Sequence, residues 1–234
     1  MFAKNAPHQL HNAHKLFEEH SVENPVCVVK SVTTRNGKIV SKSDCFKGED
    51  TPTCSRTCRS ARVELRGKNI LPSCGLYNGS MGVVRDIVFQ EGHSPNAGDF
   101  PLYVLVEFAQ YEGEPFDDTN TKLVPITPVE YQCKKKCCKK KFLPLQLCYA
   151  KTVHTFQGQN AGPVQPGQPQ NAIQRIICDP GDKEFEGRNP GLFYTILSRA
   201  TTMGKPGEKM SSVIYFTDNM NPARVLDITR GAQN

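Results

Sequence analysis

The stretch LCYAKTVHTFQGQNAG, residues 147–162, decides the expected fold because its character changes within a few residues. It begins with apolar residues typical of a strand and continues into KTVHTFQG, which predicts a helix. The junction is crowded with hydroxyl, imidazole, amide and glycine groups, which belong to Thr152, His154, Thr155, Gln157 and Gly158. A capped surface helix with a polar start explains this crowding most plainly. The rest of the chain bears on whether these residues also bind a ligand.

Strand-like and helix-like segments continue to alternate after this stretch. We predict a buried strand in AIQRIICD (172–179), a helix in NPGLFYTILSRATT (189–202), a strand in SSVIYF (211–216) and a short helix in NPARVLDIT (221–229). Alternation of this kind favours an α/β layer.

The N-terminal segment shows the same alternation. APHQLHNAHKLFEEH (6–20) predicts a helix with Leu10, Ala13 and Phe17 at helical spacing and Asn5 as its N-cap. PVCVVKSV (25–32) predicts a short strand. Residues 36–60 are polar and contain three cysteines, so we expect a loop or an insertion there.

From Arg62 onward the middle of the chain consists of short strands separated by turns. The strand-like segments are VEL (63–65), GLYNGSMGVVRDIVF (75–89), PLYVLVEF (101–108) and KLVPITPVEY (122–131). Asn78-Gly79 is a strong tight-turn signal between strands. Short strands at this spacing favour a small antiparallel barrel or meander, inserted between two α/β segments.

Positive charge is concentrated in one place. The chain has 29 Lys and Arg against 23 Asp and Glu, and six of the lysines lie in CKKKCCKKK, residues 133–141. Without those six lysines the two totals are equal, 29 − 6 = 23 against 23. The run is therefore either a solvated loop or a local contact for a polyanion.

Composition restricts the class of protein. The N-terminal residues MFAKNAPHQL lack the apolar core of a secretion signal, and no apolar run approaches membrane-spanning length. We expect an intracellular protein without a membrane partner, and a nuclear or a mitochondrial location both fit. In that setting the ten cysteines are expected to be mostly reduced thiols.

Four segments, in order, carry a resemblance to a known family. VHTFQG and FYTILSRATT resemble the last two motifs of superfamily-one helicases, in particular the PIF/RecD-like DNA helicases. MFAKNAPHQLHNAHKL is similar to the motif that opens the second motor domain of that family, and GLYNGSMGVVRDIVF resembles the glycine-rich turn of its SH3-like insert. The resemblance implies an α/β fold, a RecA-like second motor domain interrupted by a small SH3-like β-barrel. The implied division is 1–60 for the first part of the RecA-like domain with a cysteine-containing loop, 61–145 for the insert, and 146–234 for the second part.

The resemblance also implies a grip on single-stranded DNA. In such motors ATP binds between two RecA-like domains, and one nucleic-acid strand lies across both. Thr152, His154 and Thr155 match positions suited to a DNA phosphate, and Asn78 is a further candidate DNA contact. For Asn78, a plain hairpin turn is the simpler interpretation.

The nucleotide side of the site is implied by other positions. Gln157 and Gly158 would face the nucleotide cleft, and Asn5 would lie near the nucleotide, although an N-cap explains Asn5 almost as well. Arg199, in LSRA, matches the arginine finger, whose guanidinium stabilises charge on the transferring phosphoryl group. An ordinary helix salt bridge is the alternative for Arg199.

The chain departs from the family in what it lacks. An ATP-driven motor needs the phosphate loop G-x4-G-K-[ST] and an acidic Mg²⁺-binding motif, and none of the Gly-Lys pairs in these 234 residues fits that loop. We therefore expect ATP and Mg²⁺ to bind only together with a first motor domain outside these residues, and the chain alone not to hydrolyse ATP. A smaller departure is Thr155, which stands where the family usually has Lys or Arg and makes a weaker, neutral phosphate contact.

The cysteines include weak candidates for a metal site. Cys54 and Cys58, and Cys133 and Cys137, are paired at a spacing compatible with zinc, with Cys45, Cys74 and Cys138 as further candidates. The tighter C-x2-C spacing is absent and the helicase family does not require zinc, so we expect free thiols and no metal. Two alternatives to a helicase fragment therefore stay open: a free-standing nucleic-acid-binding module without ATPase activity, and a zinc-stapled interaction domain.

Overall fold

The computed structural model describes residues 1–156 apart from 3, 42–43, 68–69, 95–96 and 117, residues 176–200 apart from 180, 182 and 190, and residues 214–217. The chain divides into two compact units, one formed by Met1–His11 with Ala150–Asn234 and the other by Asn12–Tyr149. The predicted division at residues 60 and 145 stays a prediction. Within the described ranges, no helix combines the length and the apolar character needed to cross a bilayer.

The secondary structure of the described residues is mixed and rich in strands. The helices are α1 (Asn5–Glu19), α2 (Lys183–Arg188) and α3 (Leu192–Leu197). The strands are β1 (Cys27–Lys30), β2 (Val32–Arg35), β3 (Lys38–Ile39), β4 (Cys54–Thr57), β5 (Arg62–Leu65), β6 (Met81–Val88), β7 (Tyr103–Glu107), β8 (Leu123–Ile126), β9 (Val129–Gln132), β10 (Lys139–Phe142), β11 (Leu145–Leu147), β12 (Ile176–Cys178) and β13 (Ile214–Phe216). The predicted α/β class is confirmed at this level.

The larger unit is built on a five-stranded antiparallel sheet in the order β11-β5-β6-β7-β8. Alternate residues of its strands are apolar, so one face supplies the core, and Val84, Val104 and Val106 are completely buried. A register shift between Val84 and Asp86 bends β6 against β7. In the described residues β11 and β8 do not pair to close this sheet, so the SH3-like barrel remains a prediction.

Two glycines of the segment GLYNGSMG are required by close backbone approach. A Cβ on Gly75 would lie 2.5 Å from the Gln110 carbonyl oxygen, and the residue has a φ of +81°. A Cβ on Gly82 would lie 2.6 Å from Val106 Cγ1. Packing of β6 on β7 therefore requires glycine at position 82, and the left-handed φ together with the close Gln110 carbonyl requires it at position 75.

The larger unit also contains strands that the sequence did not predict. Residues 36–60, expected as a loop, contain β3 and β4. Strand β4 pairs with β1, and β3 joins β2, β10 and β9 in a four-stranded antiparallel sheet. The polar composition of β4 concealed it, because Ser55 is buried through a hydrogen bond that its hydroxyl donates to the Leu143 carbonyl, at 2.8 Å.

Helix α1 forms where it was predicted but buries a different face. Leu10 and Phe17 are 74% and 72% exposed, whereas His8, Asn12 and Leu16 are buried at i, i+4 and i+8. The two polar residues on that face are satisfied by backbone carbonyls: His8 Nε2 lies 2.9 Å from the Ala150 oxygen, and Asn12 Nδ2 donates to Leu147 at 3.3 Å. His8 is therefore a structural residue of this face.

The smaller unit carries parallel pairing, as expected for an α/β layer. Strands β12 and β13 run parallel, and Phe2 makes parallel bridges with Thr152 and with Asp179. The core of this unit contains Val153, Phe156, Ile176, Cys178, Leu192 and Ile196. It joins the polar stretch that follows β11 to helix α3. The helix predicted at 221–229 lies outside the described residues.

Candidate nucleotide and nucleic-acid site

The polar stretch Lys151–Phe156 forms a short turn that ends in a single 3₁₀ turn, His154–Phe156. Val153 and Phe156 are buried in the core of the smaller unit, which anchors the turn from inside. The backbone N–H groups of Phe2 and Val153 bond the carbonyls of Lys151 and Phe2, at 2.9 and 3.0 Å, so an extended segment holds the start of the turn. The predicted helix is thus reduced to one turn within the described residues.

Thr152 and Thr155 hold this turn together through their side chains. Thr152 is buried, and its Oγ1 lies 3.1 Å from Thr155 Oγ1 and accepts the Thr155 N–H at 3.4 Å. The Thr155 hydroxyl donates to the Thr152 carbonyl at 3.0 Å. Thr152 therefore acts as the capping residue of the turn.

His154 and Thr155 are the two exposed residues of the turn. His154 has no side-chain hydrogen bond or ion pair with any residue that the structure describes, so its imidazole is free to meet a ligand. The fixed backbone beneath it restricts where that imidazole can lie. The arrangement can offer an imidazole to a phosphate group, and the Thr155 hydroxyl once its bond to the Thr152 carbonyl is exchanged.

Arg199 follows helix α3 and is partly exposed. Its Nε and Nη2 donate to the Ser198 hydroxyl at 3.3 and 3.0 Å, and no carboxylate of the described residues pairs with it. The ordinary helix salt bridge is thus absent from this part of the chain. Helix α3 packs Leu192 and Ile196 into the same core as Val153 and Phe156, so one core positions both the polar turn and the arginine.

The other predicted site residues have different surroundings. Asn5 is exposed at the first residue of α1, and its predicted role as an N-cap or near the nucleotide stays a prediction. Asn78 lies in the turn before β6, where its Nδ2 donates to Asp50 Oδ2 at 3.1 Å. Gln157 and Gly158 lie outside the described residues.

The structure groups one of the two cysteine pairs predicted from spacing with two further cysteines. Cys133 and Cys137 meet Cys45 and Cys138, and the four sulfurs lie within 4.8 Å of one another. Cys54 and Cys58 do not belong to this group, and Cys58 is completely buried in the main core of the larger unit. We call Cys45, Cys133, Cys137 and Cys138 the cysteine cluster.

Two thiols of the cysteine cluster have perturbed pKa values. Hydrogen bonding to Cys45, and then to Cys138 and Cys133, raises the pKa of Cys137 to about 12. Burial by itself would raise the pKa of Cys133, but backbone hydrogen bonds from Cys138 and Cys137 and the Cys137 thiol lower it overall. Because the cluster brings four sulfur ligands together, it is the group of side chains in the described residues that suits a soft metal ion.

The lysine run contributes less free positive charge than its sequence indicated. Lys140 is 4% exposed, and its ammonium donates to the Thr51 carbonyl and hydroxyl, both at 3.0 Å. Lys141 lies over the Phe100 ring, 4.9 Å from its centroid. Lys134, Lys135 and Lys136 lie exposed in the turn between β9 and β10, where the Lys134 ammonium is 4.0 Å from Glu49 Oε1, which leaves Lys135 and Lys136 as the clearest contacts for a polyanion.

Solved structures give the fold of the chain. The Pif1 helicase from Candida albicans superposes with a TM-score of 0.61 and 18% identity, over 100% of this chain and 48% of that protein. Bacteroides Pif1 bound to ssDNA gives a TM-score of 0.55 with 16% identity, over 100% and 45%. The chain has the fold of the Pif1 helicases.

The match covers the whole of this chain but less than half of each Pif1 structure. Bacteroides Pif1 in complex with ADP-AlF3 and ssDNA gives a TM-score of 0.57 with 17% identity, over 100% of this chain and 44% of that one. The chain thus spans less than half the length of the Pif1 structures that it matches. No protein-family model and no curated protein matches it.

Proposed function

We propose that the chain is the C-terminal part of an ATP-dependent 5′-to-3′ DNA helicase, the RecA-like second motor domain with an SH3-like insert. The observation that carries this proposal is the likeness to Pif1 over the whole chain, at less than half of the Pif1 length. The order of the four sequence motifs supports the choice of the second motor domain. The five-stranded antiparallel sheet would be the body of the insert.

The turn Lys151–Phe156 would bind the single strand of DNA. His154 and Thr155 are exposed. His154 would donate to one phosphate of single-stranded DNA, and Thr155 would join it by exchanging the bond that its hydroxyl donates to the Thr152 carbonyl, while Thr152 holds the turn from inside. A direct phosphate contact by Thr152 would require its hydroxyl to leave Thr155, so its part in binding is to hold the turn. Bacteroides Pif1 bound to ssDNA supports the choice of ligand.

Arg199 would act as the arginine finger of a nucleotide site shared with a first motor domain. Among the described residues its guanidinium donates side-chain hydrogen bonds to Ser198 alone, so it would be available to a γ-phosphate. That first domain would supply the phosphate loop and the Mg²⁺ ligands, and Gln157, Gly158 and Asn5 would complete the nucleotide cleft. Bacteroides Pif1 in complex with ADP-AlF4 supports the choice of nucleotide.

Binding of single-stranded DNA across a salt series tests the proposal. Fluorescence anisotropy of the full chain with a labelled oligothymidine should show weak binding. A fourfold rise in salt should weaken it by about 2.6-fold for each phosphate contact. Binding that ignores salt, or no binding, refutes the strand grip. The same titration with His154→Ala removes one proposed contact and should give weaker binding.

A nucleic-acid-binding module without ATPase activity is the second candidate, and the lack of a phosphate loop in these 234 residues favours it. The two functions differ in what they require of Arg199. A motor domain needs that guanidinium for ATP turnover, whereas a binding module does not. Genomic sequence that encodes an in-frame phosphate loop ahead of Met1 would favour the motor.

A further inference from the structure

Two distant segments bring the cysteine cluster together. Cys45 lies in a 3₁₀ turn, Asp44–Phe46, and the other three cysteines lie in the turn that joins β9 to β10. The Sγ of Cys45 is 3.4 Å from that of Cys137 and 3.6 Å from that of Cys138. Cys137 Sγ is 3.7 Å from Cys133 Sγ and 3.5 Å from Cys138 Sγ.

These separations fit one tetrahedral metal ion. Zinc binds thiolates at about 2.3 Å, so the sulfurs of a tetrahedral four-thiolate site lie about 3.8 Å apart. A disulfide instead requires about 2.05 Å, and all four cysteines are free thiols. Multi-iron clusters place metal and sulfide between their thiolates and spread them further, whereas all four sulfurs here lie within 4.8 Å.

We propose that the cysteine cluster binds one Zn²⁺ ion as a structural site. Four protein thiolates fill a tetrahedral zinc completely, which leaves no open position for water or substrate and makes a structural role fit better than a catalytic one. This proposal does not rest on the helicase function. It reverses the expectation, drawn from sequence spacing, that zinc is absent.

The backbone of the β9–β10 turn is shaped as a metal-binding turn would be. The Cys133 N–H bonds the Cys138 carbonyl at 3.0 Å, and the Cys138 N–H bonds the Cys133 sulfur at 3.3 Å. Lys136 adopts a left-handed conformation, with a φ of 56°, which folds the chain back so that both ends of the turn present sulfur. An N–H donated to sulfur stabilises the thiolate that zinc requires.

A cation next to the cluster offsets the charge of the proposed site. Four thiolates and one Zn²⁺ carry a net charge of −2. The Arg35 guanidinium lies against the cluster, with Nε 3.2 Å from Cys138 Sγ and Nη2 3.5 Å from Cys45 Sγ. The exposed lysines 134–136 share the β9–β10 turn with three of the cysteines and add positive charge to that turn.

The hydrophobic core around the cysteine cluster is small, so a bound metal ion would add to its stability. The hydrophobic cluster here has three buried members, Phe46, Cys133 and Cys138, so two of its three side chains are thiols. The sheet of β3, β2, β10 and β9 offers few other buried apolar side chains, and β3 is exposed at both residues. Small cores of this kind gain much of their stability from a metal.

Metal analysis of the purified full chain tests the proposal. After dialysis against metal-free buffer under reducing conditions, we expect one zinc per chain. Removal of zinc with a chelator should lower the melting temperature by on the order of 10 °C. Cys137→Ser and Cys45→Ser should each bind much less zinc, whereas the matched control Cys54→Ser, a cysteine outside the cluster, should keep one zinc per chain.

A second measurement uses the unaltered protein, so it does not depend on whether a variant folds. Cobalt added to the zinc-free chain should give the thiolate charge-transfer and visible bands of tetrahedral four-thiolate Co²⁺, and zinc should abolish them. No zinc with all four thiols reactive toward a thiol reagent in the folded protein would overturn the proposal. Disulfides among the four cysteines, or iron in place of zinc, would overturn it as well.

Discussion

Replacing Thr152 with valine separates the structural from the ligand-binding part of the polar turn. Valine keeps the shape of the side chain and removes the hydroxyl. Because the Thr155 hydroxyl donates to the Thr152 carbonyl, the Thr152 hydroxyl must be the donor in the 3.1 Å bond between the two side chains. The substitution therefore removes one donated bond and the acceptor of the Thr155 N–H, which is 3.4 Å away.

The cost of that substitution follows from exposure. Thr155 is exposed, so water can replace the Thr152 hydroxyl as its hydrogen-bond partner. The loss of stability therefore lies in the lower half of the range measured for replacing a capping residue. We expect the free energy of unfolding to fall by about 1 kcal/mol. In a chain of this length that lowers the melting temperature by about 2–4 °C. Urea unfolding and a thermal melt measure it.

His154→Ala is the matched comparison within the same turn. His154 is exposed and makes no side-chain bond with a described residue, so the melting temperature should change by less than about 1 °C. The dissociation constant for single-stranded DNA should nevertheless rise about tenfold, which corresponds to roughly 1.4 kcal/mol for a lost phosphate contact. The reasoning is refuted if Thr152→Val leaves the melting temperature unchanged, or if His154→Ala lowers it equally.

Two further predictions concern packing and pH. Gly82→Ala should lower the free energy of unfolding by about 1–3 kcal/mol, because the new Cβ would lie 2.6 Å from Val106 Cγ1 and 2.8 Å from the Glu107 carbonyl oxygen. Gly187→Ala is the control, because a Cβ there would meet open space. Equal urea midpoints for the two variants would contradict this prediction. Burial raises the pKa of Cys27 from 9.0 to about 11, so the unfolded state loses this proton first as pH rises. Stability should therefore fall between pH 9 and pH 11 by up to about 1.4 kcal/mol per pH unit from this thiol, and Cys27→Ala should reduce that slope in urea unfolding at several pH values.

The sequence predicted the elements whose burial follows a simple period. Strands β6 and β7 alternate apolar residues, and α3 places Leu192 and Ile196 at i and i+4, so both were predictable. Strand β4 was missed because Ser55 and Thr57 are buried polar residues. The buried face of α1 was missed for the same reason, since backbone carbonyls, which a sequence does not show, satisfy His8 and Asn12.

The two candidate sites differ in how much of each could be predicted from the sequence. Thr152, His154 and Thr155 are adjacent in the chain, so a motif could single them out, but only the structure distinguishes the buried threonine from the exposed pair. The cysteine cluster needs Cys45, which is 92 residues from Cys137. Pairing by short spacing selected Cys133 and Cys137, which belong to the cluster, but equally Cys54 and Cys58, which do not. Long-range topology therefore decides the metal site.

The most direct measurement for the central claim is ATP turnover, stimulated by single-stranded DNA, in a motor that joins this chain to a first domain with a phosphate loop. If the chain is the second motor domain, Arg199→Ala should lower kcat by about a thousandfold or more. The dissociation constant for single-stranded DNA should stay within about twofold of the parent value. Unchanged kcat, or lost DNA binding with normal turnover, would contradict the account.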